Sequence, residues 1–291
     1  MKFACIEAEK ANFPVRLMCR MLEVSHSGFY AWLDREPSNR SREDQRLAAE
    51  VAAAHKRSRR RYGSPRIHRE LRTAGTRIGR KRVARLMCAQ GLVARPKRRF
   101  RRTTDSSHGK PPAPNLLERN FAVAAPDQVW VTDITYIWTK EGWLYLAAVI
   151  DLFSRRVVGW AVSERIDAAL CCEALRNALL ARRPAPGLIL HSDRGSQFVS
   201  KEFVKLVVDH GVVQSMSRKG DCWDNAVAES FNGTIKGELV EEEDFTTRAQ
   251  AKRAIFEYIE GFYNSTRLHS YLGYVSPAVF ERVAAAEALA A

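Results

Sequence analysis

A disulfide framework has no place in this sequence. Its six cysteines stand at 5, 19, 88, 171, 172 and 222, with no pair at the two-residue gap of a zinc knuckle or redox motif. They read as small apolar side chains of a protein kept in reducing surroundings. Long apolar runs are missing as well: none reaches the roughly 18 residues that a membrane-spanning helix needs. The opening, Met1 to Glu7, carries Lys2 and Glu7 where a secretory leader needs an unbroken apolar stretch. The expectation is a cytoplasmic protein with no membrane partner.

Acidic residues are also scarce, but only in part of the chain. From Met1 to Asn120 there are 29 Lys and Arg against 11 Asp and Glu, a net charge of +18; from Phe121 to Ala291 the net charge is −4, giving +14 overall. With 46% hydrophobic and 27% charged residues the chain is globular and long enough for two domains. A basic half joined to a mildly acidic one suggests that the first holds a polyanion and the second carries cation-dependent chemistry.

Patterning in the basic half is helical. Apolar residues recur at helical spacing from Val15 to Leu22, and Ser25 offers a cap for a second short helix through Tyr30 and Trp32. This is a helix-turn-helix shape within residues 1–37. A long helix follows over Glu43 to about Arg57, and Tyr62-Gly63-Ser64-Pro65 breaks it. A second two-helix unit then opens at Pro65 or Arg66, turns at Ala74-Gly75-Thr76, and closes with a helix from Arg80 to Gln90, which Gly91 ends. Its Arg80, Lys81, Arg82 and Arg85 suit an element lying against phosphates. No residue here is assigned to a base edge, so these contacts give affinity without sequence choice. Six of the eight residues from Arg95 to Arg102 are basic, among them Lys97, Arg98, Arg99 and Arg101, and a Pro- and Gly-bearing stretch follows. Residues 38–102 are therefore read as a basic helical domain and 103–120 as a flexible linker.

The second domain, 121–291, begins with three strands, Gln128 to Trp138, Trp143 to Phe153 and Arg156 to Ser163, and continues with alternating helix and strand. That is a mixed sheet covered by helices. Asp133 interrupts a run otherwise dense in β-branched and aromatic residues. Asp193 follows the short apolar run Leu188-Ile189-Leu190 on a Gly-bearing turn. No Gly or Pro occurs from Asp221 to Asn232, and Asn225, Glu229, Asn232 and Lys236 are spaced to share one helix face. Carboxylates gathered without a cation repel and raise one another's pKa, whereas hard divalent ions such as magnesium take oxygen ligands of this kind. Asp151, ending the next apolar strand, is a rival for the first position. His191 reads as a structural residue, since an oxygen-lined site has no need of imidazole. The basic, Gly-bearing loop with Arg218 and Lys219 is read as contacting a nucleic-acid strand, and Lys236 as holding a phosphate nearby.

Asp133, Asp193 and Glu229, with 35 residues between the last two, resemble the DDE triad of transposases and retroviral integrases. The wording from His191 to Phe198, from Ser217 to Phe231 and from Tyr263 to Pro277 resembles the OrfB product of the insertion-sequence-three family of bacterial transposases, and the resemblance runs over nearly the whole chain. It implies a ribonuclease-H-like α/β catalytic core behind the all-α helix-turn-helix-type region, and metal-dependent DNA cleavage and strand transfer. It also implies two Mg2+ ions, with Mn2+ as substitute, held by Asp133, Asp193 and Glu229, Asp133 bridging the two. The expected partners are element-end and target DNA, further copies of the chain on DNA, and the OrfA protein or an OrfA-OrfB fusion, in a bacterial, nucleoid-associated setting. In that family a leucine zipper and end-recognising helices belong to OrfA, and no heptad run precedes the core here. An alternative is therefore a DNA-binding modulator inactive without OrfA. The Tyr263 to Pro277 segment receives no chemical role.

Overall fold

The computed structural model of the protein describes residues 1–94, 112–218 and 222–290, with the side chains of 222 and 223 left aside. Lys97, Arg98, Arg99, Arg101 and Lys219 lie outside these residues, as does most of the stretch read as a linker.

The chain opens with three short helices, α1 (Lys2–Glu9), α2 (Val15–Met21) and α3 (His26–Leu33). Ser25 caps α3, its hydroxyl accepting the Gly28 N–H at 3.2 Å. These helices close over a small core of Ile6, Cys19 and Phe29. Next come α4 (Asn39–Arg57), α5 (Ser64–Thr73) and α6 (Arg80–Ala89). Ser38 caps α4, and Leu47, Val51, Ile67, Leu71, Val83 and Leu86 are its shared interior with α5 and α6.

The remainder is built on five strands, β1 (Val129–Thr139), β2 (Gly142–Asp151), β3 (Val157–Ser163), β4 (Ile189–Ser192) and β5 (Val213–Met216), ordered β3-β2-β1-β4-β5. The first three form an antiparallel meander, while β4 and β5 join parallel. The helices of this domain are α7 (Ala168–Arg182), α8 (Lys201–Asp209), α9 (Ala226–Ile235), α10 (Arg248–Tyr258) and α11 (Pro277–Ala290). Helix α7 rests directly on β3 because Gly159 has no side chain: a Cβ there would lie 2.4 Å from the Ala178 backbone nitrogen. π-helical turns follow α9 and α10, at Lys236–Val240 and Ile259–Tyr263.

Residues 112–120 lie against the core. The Leu116 N–H donates to Ser215 Oγ at 2.9 Å, and Leu117 is buried. The helical domain is also joined to the core. Tyr62 Oη accepts the Leu268 N–H at 2.7 Å, and the Arg61 guanidinium stands 5.1 Å from the centre of the Tyr258 ring. Leu47, Val51 and Ile67 belong to the same apolar cluster as Ile137, Phe231 and Tyr258. Of the described cysteines, 19, 171 and 172 are buried, but 5 and 88 are exposed, so only the first three serve as core fillers. No helix among the described residues is long and apolar enough to cross a membrane.

Candidate active site

Strand register brings the first two carboxylates together. β1 and β4 run parallel with Val131 opposite His191. Two residues further on, Asp133 and Asp193 therefore emerge side by side, the second just past the end of its strand. Gly195 allows the turn after β4 to fold tightly, and its N–H donates to Asp193 Oδ1 at 2.9 Å. A Cβ at Gly195 would lie 3.1 Å from that oxygen and 2.8 Å from Gln197 Oε1, so a larger residue there would push these two side chains aside.

Helix α9 supplies the third carboxylate, and the face expected from sequence is the one it turns to β1. Asn225 Nδ2 donates to the Thr132 carbonyl at 3.1 Å, and Asn232 Nδ2 to Asp133 Oδ2 at 2.9 Å. The Lys236 ammonium stands 3.9 Å from the centre of the Tyr136 ring, a cation–π contact. Glu229 lies between these residues on the same face.

The three carboxylates act on one another. Burial and then the charge of Asp193, with Glu229 adding to them, push Asp133 up to about 8, against the pull of the Ile134 N–H and the Asn232 amide. Burial and then Asp193 also raise Glu229. Burial lowers Lys236, partly offset by Asp133. Among the described residues no group of three or more His, Cys, Asp or Glu side chains is placed to hold a metal ion. An ion that keeps several of its waters needs fewer direct ligands than that.

Asp151 plays a different part. It is fully buried, accepts the Asp127 N–H and both the N–H and hydroxyl of Ser154 at 2.8 to 2.9 Å, and shapes the turn between β2 and β3. His191 is likewise committed to the scaffold, with its ring nitrogens 2.8 Å from Ser215 Oγ and 3.1 Å from Ser217 Oγ. Burial lowers it to about 4, so the ring is neutral.

Asp224 is a site residue whose part was missed in the sequence. Fully buried, it accepts from the Arg218 N–H and guanidinium, from Arg119 Nε and from Asn115 Nδ2, at 2.9 to 3.1 Å. It pins both ends of the loop before α9. Hydrogen bonds from Arg218 hold its carboxyl well below the usual range despite burial. An Asp just before a helix reads as a cap, and only the fold brings residue 119 to it.

The predicted DNA-contact residues differ among themselves. Arg80 and Lys81 are exposed. Arg82 is paired with Asp44 and Glu43 at 2.8 Å, and Arg85 with Asp44 at 2.7 Å. The Arg218 guanidinium is engaged by Asp224. These last three have internal partners that a DNA phosphate would have to share or displace.

A mixed sheet with carboxylates on its central strand, at the adjoining strand end and on the helix beneath defines an integrase-type core. Family models agree: one described as an integrase core domain matches residues 123–222, a second of that description matches 210–277, and an HTH-like domain matches 42–100. The chain is 44% identical over 283 residues to the transposase InsF for insertion sequence IS3A of Escherichia coli K12, covering 97% of this chain and 98% of that protein. It is 48% identical over 263 residues to an uncharacterized 31 kDa protein of insertion element IS600 from Shigella sonnei, covering 90% of this chain and 97% of the other. Among solved structures, the HTLV-2 integrase catalytic core domain in complex with magnesium matches at 17% identity and a TM-score of 0.43, covering 55% of this chain and 99% of that one. The chain belongs to the IS3 family of insertion-sequence transposases.

Proposed function

We propose that this transposase is a metal-dependent polynucleotidyl transferase that cleaves the ends of its insertion sequence and joins them to new DNA. The observation that carries this reading is that three carboxylates from β1, the β4 end and α9 stand close enough to raise Asp133 and Glu229. A cluster of that kind is costly for stability and is relieved by a cation. Its donors are all oxygens, which fits Mg2+, with Mn2+ as substitute. Asp133, Asp193 and Glu229 would hold two such ions, and bound ions would stabilise the charge that builds on the attacking and leaving oxygens of a phosphodiester.

The protein's own part is to position. Asn232 fixes the rotamer of Asp133 and keeps one of its oxygens turned toward α9. Lys236 brings a positive charge beside the cluster, where a phosphate oxygen can be held. Arg80, Lys81, Arg82 and Arg85, the basic stretch with Lys97, Arg98, Arg99 and Arg101, and the loop with Arg218 and Lys219 would follow the DNA backbone. Further copies of the chain on DNA, and OrfA or a fusion with it, are the proposed partners.

The test is a strand-transfer assay with Mg2+ and labelled duplexes carrying the element's ends, run beside Asp193→Asn. Nicked and joined products from the parent that vanish with the variant support the reading. DNA binding without products from either sinks it for the isolated chain and moves the activity to a form joined to OrfA.

A further inference from the structure

The Tyr263 to Pro277 segment walls a cleft of about 260 Å³ between the helical domain and the core, at the opposite side of α9 from β1. Arg66 of α5, Arg155 of the β2–β3 turn and Arg267 line it together, with Ser230 and Thr234 of α9; among the described residues no carboxylate lines it. Glu238, behind the wall, serves two of these guanidiniums. It accepts from Arg267 at 2.7 Å but stands 3.8 Å from Arg66.

Arg155 is buried, with only 7% of it open to solvent. Its Nη2 reaches the Phe121 carbonyl at 3.3 Å, and its buried Nη1 has no hydrogen-bond partner among the described residues. Tyr271 covers the flat of the guanidinium at 4.1 Å, leaving its edge for a planar or tetrahedral anion. Burial lowers both Arg66 and Arg155; the charge of Arg267 lowers Arg66 further, while Tyr271, through its charge and a hydrogen bond, and then Tyr263 and Asp151 partly offset the effect on Arg155. Buried cations beyond the number of their counter-ions are costly unless an anion joins them.

We propose that this cleft binds a phosphate group between Arg66 and Arg155, and that in the working protein the group is a backbone phosphodiester of bound DNA. The second part rests on the function proposed above. It is favoured because the cleft hydroxyls, Ser230 and Thr234, ride on the helix that carries Glu229, so one duplex can meet both faces of α9. The Tyr263 to Pro277 segment then gains a chemical role, since Arg267 uses Glu238 to hold the wall and Tyr271 flattens Arg155 against it.

The experiment uses the full chain with Arg66→Gln and Arg155→Gln, and Lys252→Gln as an exposed-charge control. Duplex binding is measured across a salt series, and melting is followed in inorganic phosphate against chloride at matched ionic strength. The expected result is about tenfold weaker DNA binding for each cleft variant, a salt slope lower by about one, and a phosphate-induced rise in melting temperature present in the parent and control but lost in the variants. A phosphate response without any change in DNA binding overturns the DNA half in favour of a free phosphate. Folded variants matching the parent in every arm overturn the site. Should Arg155→Gln fail to fold, Arg66→Gln and the parent's own phosphate response decide in the same way. A parent that binds and joins DNA while the variants equal it removes only the cleft; a parent that binds no DNA removes the proposed function, and the phosphate arm still reads the cleft.

Discussion

Asp133 and Glu238 are carboxylates in the same domain, both half-buried, and their surroundings drive them in opposite directions. Burial and two neighbouring carboxylates push Asp133 up. Burial would raise Glu238 too, but Arg267, the Tyr258 hydroxyl and Arg66 more than reverse it and leave it below its ordinary value. Glu238 is a finished interaction, with its counter-charge supplied by the chain. Asp133 is an unfinished one, which the proposed metal ion would complete. The difference separates what the fold spends on holding itself together from what it keeps for chemistry.

Asp133→Asn should break the comparison most sharply. Strand transfer should fall by at least about a thousandfold, the equivalent of about 4 kcal/mol in the barrier. In metal-free buffer the variant should melt no lower than the parent, because repulsion is removed, and Mg2+ should stabilise the parent but not the variant. A metal-free variant that melts well below the parent would mean that Asp133 serves the scaffold.

The reverse pattern is expected at Glu238. Glu238→Gln leaves Arg267 buried without its charge partner, and unfolding in urea should show a loss of about 3 kcal/mol, with the Mg2+ response unchanged in the fraction that remains folded. A loss under about 1 kcal/mol would show that the ion pair contributes little beyond its own desolvation. Asn232→Ala comes next: it frees Asp133 from the amide that orients it, and metal affinity or strand transfer should fall by about tenfold to a hundredfold. Unchanged Mg2+ dependence would remove Asn232 from the site.

The two regions also differed in how much of them could be read beforehand. The strands, their order of type and the face shared by Asn225, Glu229, Asn232 and Lys236 follow from alternation and helical spacing, because local pattern and burial agree there. That Asp133 and Asp193 lie side by side needed the β1–β4 register, which no local pattern carries. The junction was less legible still. Arg66, Arg155, Glu238 and Arg267 come from four separate parts of the chain, and each alone reads as a solvated charge. Arg82, Arg85 and Arg218 showed the converse: their positive charge suggested DNA, and the acids that hold them, Asp44, Glu43 and Asp224, were visible only in the fold. The π-helical turns likewise have no periodic signature over five residues.

The smallest effect expected is on acid stability, and it sharpens the comparison by sign. His269 lies in the junction with its Nε2 3.4 Å from Arg267 Nη1, and burial, followed by Arg267, Arg66 and Arg155, lowers its pKa. Below its ordinary value of 6.5, the unfolded chain takes up a proton that the folded chain refuses. Stability is therefore lost as pH falls through that value, by up to about 1.4 kcal/mol per pH unit for one such group. His191, lowered to about 4, adds a second contribution of the same sign. Glu238 adds a third only below its ordinary value of 4.5, as its lowered carboxyl is finally protonated. Asp133 works against all three: its raised pKa makes the metal-free protein gain stability as pH falls from about 8. The parent's own curve mixes these signs, so the quantity to measure is the difference in urea unfolding between parent and His269→Gln at successive pH values. That difference should shrink in step with falling pH between about 6.5 and 4.5, as the parent loses what the variant never had. A constant difference across that range would mean that His269 is not held neutral, and the charge balance drawn for the junction would have to be redrawn.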